Sequence, residues 1–367
     1  MSHPILTQRA LNRALLARQM LLRRKAVSAV EAIERLAGLQ AQQARPPFVG
    51  LWCRLEEFRR EELVPLLHSG QVVRAPLMRC TLHLWSRRDF TALRPAIQPA
   101  LDSAVRSILR ERLDALPLET VLAEARRLYA ERPRTFTELR NELLARFPGA
   151  DERAMGYTVR TQLPLVLVPG SHEWGYRADC EFALAEEWLG HPLDTADNAH
   201  TLVLRYLAAF GPASAADVTA WSGRGGLAPV LEELRPRLAV FRDERNRELF
   251  DLPEAPRPPE ETPAPPRFVA DFDNLILSHA DRTRVIADEH RKTVITKNAL
   301  VLPTFLVDGF VAGTWKVTRQ RKTAILTLSP FGAVPEAARE ELTAEGDRLA
   351  RFVEPAAVSC EVRWESR

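Results

Sequence analysis

The sequence has no apolar run of about 18 residues, the least that a membrane-crossing helix needs. Its first residues, MSHPILTQRALNRALLARQ, carry arginine every few positions, so no apolar core of a signal peptide forms and a cytoplasmic chain is expected. Cysteine is sparse. Cys53, Cys80, Cys180 and Cys360 lie far apart without C-x-x-C spacing, which argues against a zinc or redox motif and for buried, inert thiols. Lysine is nearly as rare, with five residues. The serine elbow G-x-S-x-G, the Walker loop, the dinucleotide fingerprint and H-E-x-x-H are all missing. No coiled coil or long amphipathic helix suggests a dimer, so a monomer is expected.

What is present is a globular composition, 46% apolar and 27% charged over 367 residues, enough for two or three domains. The net charge of +3 is mild, but its distribution is uneven. From Arg282 to Lys322 there are nine Lys or Arg (Arg282, Arg284, Arg291, Lys292, Lys297, Lys316, Arg319, Arg321, Lys322) against Asp288, Glu289 and Asp308, a balance of +6 that leaves −3 for the rest. Four of the five lysines fall there. Such clustering fits a phosphate-binding surface, and charge alone does not separate that from a solvated basic face.

Along the chain, the first third reads as helices over 8–22, 28–37 and 59–69, with Ser28 as a cap, Glu31 as its capping-box partner and Gly38 as a stop. Arg79 to Trp85 alternates as a strand. A pattern then occurs twice. Helices at 118–131, after Thr135, and at 151–162 precede a hairpin of Leu165–Val168 and Glu173–Tyr176. Helices at 199–210, 215–221 and 227–234 precede a hairpin of Leu238–Phe241 and Glu248–Asp251. Three helices and a two-stranded wing make a winged helix-turn-helix. The N-terminal third is a less regular third copy. Residues 253–266, PEAPRPPEETPAPP, read as a proline-rich linker. Beyond it strands are expected at Val285-Ile286, Lys292–Thr296, Thr304–Val307, Phe310–Val317 and Thr323–Leu328, with an Asp308-Gly309 turn, a helix at 335–352 and a last strand at 357–364.

Two candidate chemistries stand out. His279-Ala-Asp281 and Asp288-Glu-His290 resemble metal ligands, but the spacing is not diagnostic and hydrogen-bonded strand ends are the better reading. Gln40-Ala41-Gln42 lies between Gly38 and Pro46-Pro47. Residues two apart share a face only if the backbone is extended; otherwise this is a polar helix end in water.

The ordered set of Leu39-Gln40-Ala41-Gln42, Arg79-Cys-Thr81-Leu-His83, Asp273-Asn-Leu-Ile-Leu-Ser-His279-Ala-Asp-Arg282, Asp288-Glu-His-Arg-Lys292 and Asp308-Gly-Phe-Val-Ala-Gly313-Thr-Trp315-Lys316 resembles the tandem winged-helix family of alkylpurine DNA glycosylases. Some members protect antibiotic-producing bacteria from their own DNA-alkylating products. The helix-hairpin-helix lysine or aspartate of the common glycosylases is not evident. The resemblance implies an α+β fold: winged helices over 1–113, 114–195 and 196–252, the linker, and a β-rich, barrel-like domain over 267–367. It implies a nucleoid-associated enzyme that binds duplex DNA containing alkylated purines and uses neither metal nor cofactor. Gln40 and Gln42 map onto the family's catalytic pair, and Gln42, where a related branch has Asp, is similar to the branch acting on bulky adducts and crosslinks. Arg79, Thr81, His83, Arg282, Arg291, Lys292, Trp315 and Lys316 are the expected DNA contacts. A glutamine amide cannot act as a strong base, but it can position a water. Such machinery suits a base made cationic by alkylation, whose glycosidic bond is already weak. A winged-helix regulator without catalysis, and a protein that sequesters the free alkylating compound, are the competing readings. Whether the base is flipped stays open.

Overall fold

The computed structural model describes residues 3–113 and 116–365. The chain opens with strand β1 (Ile5–Leu6) and helix α1 (Gln8–Arg18), capped by the Thr7 hydroxyl. Helix α2 (Ala29–Arg35) follows, capped by Ser28 as expected, then strand β2 (Leu39–Gln40), helices α3 (Pro46–Trp52) and α4 (Arg60–His68), and strands β3 (Val72–Pro76) and β4 (Leu82–Ser86). The three strands form an antiparallel sheet in the order β2-β4-β3. The helices expected at 8–22, 28–37 and 59–69 appear as α1, α2 and α4, each somewhat shorter, and α3 is a further helix between β2 and α4. Pro46-Pro47 starts a helix, because proline at the first helical positions gives up no hydrogen bond. The expected strand at 79–85 begins only at Leu82. Residues 77–81 close a turn (Leu77 N to Thr81 O, 2.9 Å) with Arg79 and Cys80 at positive φ.

Helix α5 (Arg87–Leu109) is a buried spine with Pro95 and Pro99 inside it. Proline deprives the carbonyl four residues earlier of its donor. That carbonyl, Thr91 O, accepts instead from Asp194 N at 3.2 Å, and the neighbouring Ala92 and Ala96 carbonyls accept from Asn198 Nδ2 and Arg224 Nη1 at 2.8 and 2.7 Å.

Next come α6 (Leu118–Glu131), β5 (Arg134–Thr135), α7 (Phe136–Arg146) with its Thr135–Glu138 capping box, α8 (Glu152–Gln162), β6 (Leu165–Leu167) and β7 (Glu181–Leu184), in a sheet ordered β5-β7-β6. The partner of β6 is thus Glu181–Leu184 and not Glu173–Tyr176. Trp174 and Tyr176 are buried in the intervening loop, where Arg60 and Arg74 stack on their rings at 3.9 and 4.7 Å from the centroids. After α9 (Ala185–Leu189), helices α10 (Ala199–Phe210), α11 (Ala215–Ser222) and α12 (Ala228–Leu234) precede the hairpin β8 (Ala239–Asp243) and β9 (Glu248–Asp251). Strand β1 adds to β8 in parallel.

Residues 253–266 lie along α1, whose Arg9 and Arg13 Nε donate to Glu260 O and Thr262 O at 2.8 and 2.7 Å. Beyond them are β10 (Arg267–Val269), α13 (Asn274–Leu277), α14 (Asp288–Val294), β11 (Thr304–Val307), β12 (Phe310–Gln320), β13 (Thr323–Pro330), α15 (Glu336–Val353) and β14 (Ser359–Trp364). Strands β10 to β14 form one five-stranded sheet in sequence order, with β14 parallel to β13 and α15 as the crossover. The strand pattern allows a small barrel or an open sheet, and the sheet is open, with edges at β10 and β14, not the barrel that the resemblance implies. Asp308 and Gly309, both at positive φ, make the β11–β12 turn as expected. The expected strand 292–296 is instead mostly helix α14, because Asp288 and Glu289 occupy its first turn and favour the helix dipole. Val285-Ile286 is a buried turn, with both N–H groups donating to Arg282 O at 2.9 Å.

Two buried ion pairs tie distant segments together. Arg18 grips Asp251 at 2.7 and 2.8 Å, and Arg54 grips Asp273 at 2.8 and 2.9 Å.

Candidate active site

The site begins at a backbone constraint. Gly38 has φ +91°, and a Cβ there would lie 2.2 Å from the Trp85 indole, so only glycine fits. This turn takes the chain from α2 into β2. Gln40 then pairs with His83 across the sheet, and Ala41 N extends the ladder to Leu82 O at 2.7 Å. The Gln40-Ala41-Gln42 segment is therefore extended, not a helix end in water. Gln40 is 7% exposed, whereas Gln42 faces solvent.

Arg79 organises the surroundings of Gln40. Its Nη2 donates to Gln40 Oε1 at 2.6 Å and to Asn274 Oδ1 at 3.1 Å, lies 3.4 Å from His83 Nε2, and its Nη1 donates to Trp221 O. The positive φ of Arg79 and of Gly223 lets the two backbones meet, since a Cβ on Gly223 would stand 3.1 Å from Arg79 backbone atoms. Because a guanidinium only donates, the Gln40 carboxamide must turn its oxygen toward Arg79 and its Nε2 elsewhere. Asn274 Nδ2 in turn donates to Gly38 O at 3.3 Å.

Gln42 is held by Leu82 N, which donates to its Oε1 at 3.3 Å. The backbone of the motif is pinned from β3. Arg74 Nε donates to Ala41 O at 2.8 Å and its Nη2 to Gln42 O at 3.1 Å. Sequence reasoning missed Arg74. Its signal was a lone charge in the apolar strand Val72-Val-Arg-Ala-Pro76, which must find acceptors when buried.

Electrostatics set the protonation states. Burial and the nearby Arg282 push Arg79 down to about 10, so it stays charged near neutrality. Burial, then Arg79, hold His83 well below the usual imidazole value. His83 Nδ1–H donates to the Thr81 carbonyl at 3.1 Å, so the unprotonated Nε2 accepts from Arg79. Burial lowers Arg282 too, with Arg291 as the second cause. Arg282 thus repels Arg79, and Arg291 repels Arg282.

The other expected contact residues are dispersed. Arg291 and Lys292 are exposed on α14 with no acidic partner among the described residues. Lys316 is exposed on β12, 3.5 Å from Glu365. Thr81 is half-buried and donates to Met78 O at 3.1 Å. Arg282 is half-buried, its Nε 3.4 Å from His279 O. His83 and Trp315 are core residues and offer no ring face to a ligand. Trp315 lies edge-on to Phe268, and its Nε1 donates to Val269 O at 3.0 Å. In a strand alternating inward and outward, Lys316 takes the exposed position and Trp315 the buried one. Within the basic window Arg284 is also buried, donating to Pro212 O at 2.9 Å. Of the metal-like pairs, His279 is buried between Ser278 Oγ and Phe210 O, and His290 stacks on Phe331.

Next to Gln42 opens a cavity of about 520 Å³ that shares Phe136 and Arg160 with a second of about 580 Å³.

A profile of the family described as DNA glycosylase AlkZ-like matches residues 33–352. The chain belongs to that family and is a DNA glycosylase. Among solved structures it is similar to Streptomyces sahachiroi DNA glycosylase AlkZ, with a TM-score of 0.80 and 21% identity over 98% of this chain and 100% of that one. No curated protein matches the sequence.

Proposed function

We propose that this glycosylase hydrolyses the N-glycosidic bond of alkylated purines in duplex DNA, namely N7-alkylguanine, N3-alkyladenine and bulky natural-product adducts, crosslinks among them. The observation that carries the reading is the pair of oriented amides. With its oxygen committed to Arg79, Gln40 presents an N–H donor. Gln42 keeps a free lone pair on Oε1 beyond its bond to Leu82 N. A donor and an acceptor together orient a water for attack at C1′ without activating it. The rate must then come from the leaving group, which selects bases already made cationic. Positive charge at the half-buried Arg282 and the exposed Arg291 suits the flanking phosphates.

The recurring order of helices followed by a strand pair supports three winged helix-turn-helix domains (1–113, 114–195, 196–252) joined through 253–266 to the β-rich domain 267–367. Arg291, Lys292 and Lys316 are read as backbone contacts of a monomeric enzyme working at the nucleoid. The test is base release from an N7-methylguanine duplex. Gln40→Ala/Gln42→Ala is expected to slow the single-turnover rate by about 100-fold. Release at the wild-type rate refutes the assignment.

A further inference from the structure

The turn that carries Arg79 is costly for its sequence. Thr81 N closes it by donating to Met78 O at 3.1 Å, with Arg79 and Cys80 at its centre, at φ 54° and 60°. Positive φ at both central residues is the type I′ pattern, which suits glycine, asparagine and aspartate. Arginine and cysteine carry a Cβ that crowds the backbone in this region, so the turn keeps its shape only where its surroundings enforce it. Arg79 is held by its bonds to Gln40, Asn274 and Trp221 and by the close approach of Gly223. None of these contacts involves the Cys80 side chain. Its one hydrogen-bond partner among the described residues is Tyr157, whose hydroxyl donates to Sγ at 3.2 Å. Tyr157 comes from α8 and is half-buried, with the Arg160 guanidinium 5.5 Å from its ring centroid. Burial, then the Cys80 thiol, pushes the phenol above its ordinary range, so the hydroxyl keeps its proton and stays the donor. Helix α8 packs on α5, and α5 packs on the turn as well, so the hydroxyl is presented from a rigid element.

We propose that Tyr157 is a positioning residue for base release, holding the Arg79-Cys80 turn so that Arg79 stays aimed at the Gln40 amide. The proposal rests on the reading of Gln40 as a catalytic amide. Relaxation of Cys80 toward negative φ turns the planar peptide that joins it to Arg79. The guanidinium then leaves Gln40 Oε1, and the amide loses the bond that fixes its orientation. A reacting group misplaced by about 1 Å loses a large part of the rate. Tyr157 acts through Cys80 and Arg79 and not on the phosphates, so the effect falls on the rate and not on DNA affinity.

The test uses the full chain and an N7-methylguanine duplex, with single-turnover release and DNA affinity measured over a range of salt. Tyr157→Phe keeps the ring and removes the hydroxyl. It is expected to slow release roughly tenfold with affinity and salt slope unchanged. Cys80→Ala keeps the Cβ, loses the acceptor and is expected to match it. Cys80→Ser, which retains an acceptor, should recover most of the rate. Cys80→Gly removes the strain together with the sulfur, so it should release faster than Cys80→Ala, and adding Tyr157→Phe should change its rate less than about twofold. Release by Tyr157→Phe at the wild-type rate overturns the proposal. An equal loss from Tyr157→Phe in the Cys80→Gly background also overturns it, because the hydroxyl then acts elsewhere. A flattened salt slope does so too, by making Tyr157 a phosphate contact. Should Tyr157→Phe not fold, the cysteine series decides, and Cys80→Gly no faster than Cys80→Ala overturns the proposal. Gln40→Ala controls for the underlying reading. If it releases the base at the wild-type rate, the catalytic role of Gln40 fails and the positioning role with it; if it is slow and Tyr157→Phe is not, only the positioning role fails.

Discussion

Arg79 Nη2 donates to Gln40 Oε1 at 2.6 Å, and the same nitrogen reaches Asn274 from the C-terminal third of the chain. The orientation of a candidate catalytic amide is thus set by a cation that also joins three distant segments. Arg79 is spent on protein acceptors rather than offered to DNA, and this separates two roles that the sequence alone left together.

Arg79→Ala is therefore expected to cut the single-turnover rate by about 100-fold, as for a misplaced catalytic group, with the salt dependence of DNA binding unchanged. Arg79→Lys cannot hold Gln40, Asn274 and Trp221 with one ammonium and should restore little. A phosphate-contacting Arg79 would instead flatten the salt dependence, which an affinity titration from low to high salt detects.

The buried imidazoles give a pH prediction. His83 is held well below 6.5, chiefly by burial, and His279 is lowered as well for the same reason. Below about pH 6.5 the unfolded chain binds protons that the folded chain refuses, so stability falls as pH falls. Asp89 and Asp271, held above the usual carboxylate range by burial, act in the opposite sense. The difference between wild type and His83→Asn isolates the imidazole. The variant should lose less stability than wild type between pH 7 and 5 in urea unfolding. Parallel curves would mean that His83 takes up its proton in the folded state.

Local chemistry was legible in the sequence. Ser28, Thr135 and Asp308-Gly309 place two caps and a turn where the residues alone put them, and helices 118–131 and 199–210 match their periodicity. What depended on distant partners was not legible. Glu173-Trp-Gly-Tyr176 alternates as well as Glu181–Leu184 does, but it is a loop whose buried rings pack under Arg60 and Arg74. Within the site, Gln40 and Gln42 were visible through a motif. Arg74, which pins the backbone of Ala41 and Gln42, and Asn274, which braces Arg79 and Gly38, come from a strand and a helix whose positions no spacing reveals.

Asp273 illustrates a fold-level dependence of the site. Its carboxylate takes both Arg54 Nη atoms and also accepts from Leu275 N at the start of α13, the helix that carries Asn274. Asp273→Ala leaves Arg54 charged and buried, a loss of about 3–5 kcal/mol. A thermal melt should show a large drop in Tm. Arg54→Met/Asp273→Leu, which removes both charges, should recover much of it if the cost lies in the orphaned cation rather than in lost packing.

The exposed cations of α14 supply the last prediction. Arg291 and Lys292 have no acidic partner among the described residues, and Arg291 adds its charge to that of Arg282. If each neutralises one phosphate, each contributes about −0.9 to the slope of log affinity against log salt. Arg291→Ala/Lys292→Ala should then flatten that slope by roughly 1.8 and weaken binding equally on damaged and undamaged duplexes. Release of N7-methylguanine at saturating enzyme should persist, because neither residue touches the amides. Trp315→Phe, at a buried position of β12, should leave the slope alone. An unaltered slope in the double variant would move the DNA-binding face away from α14.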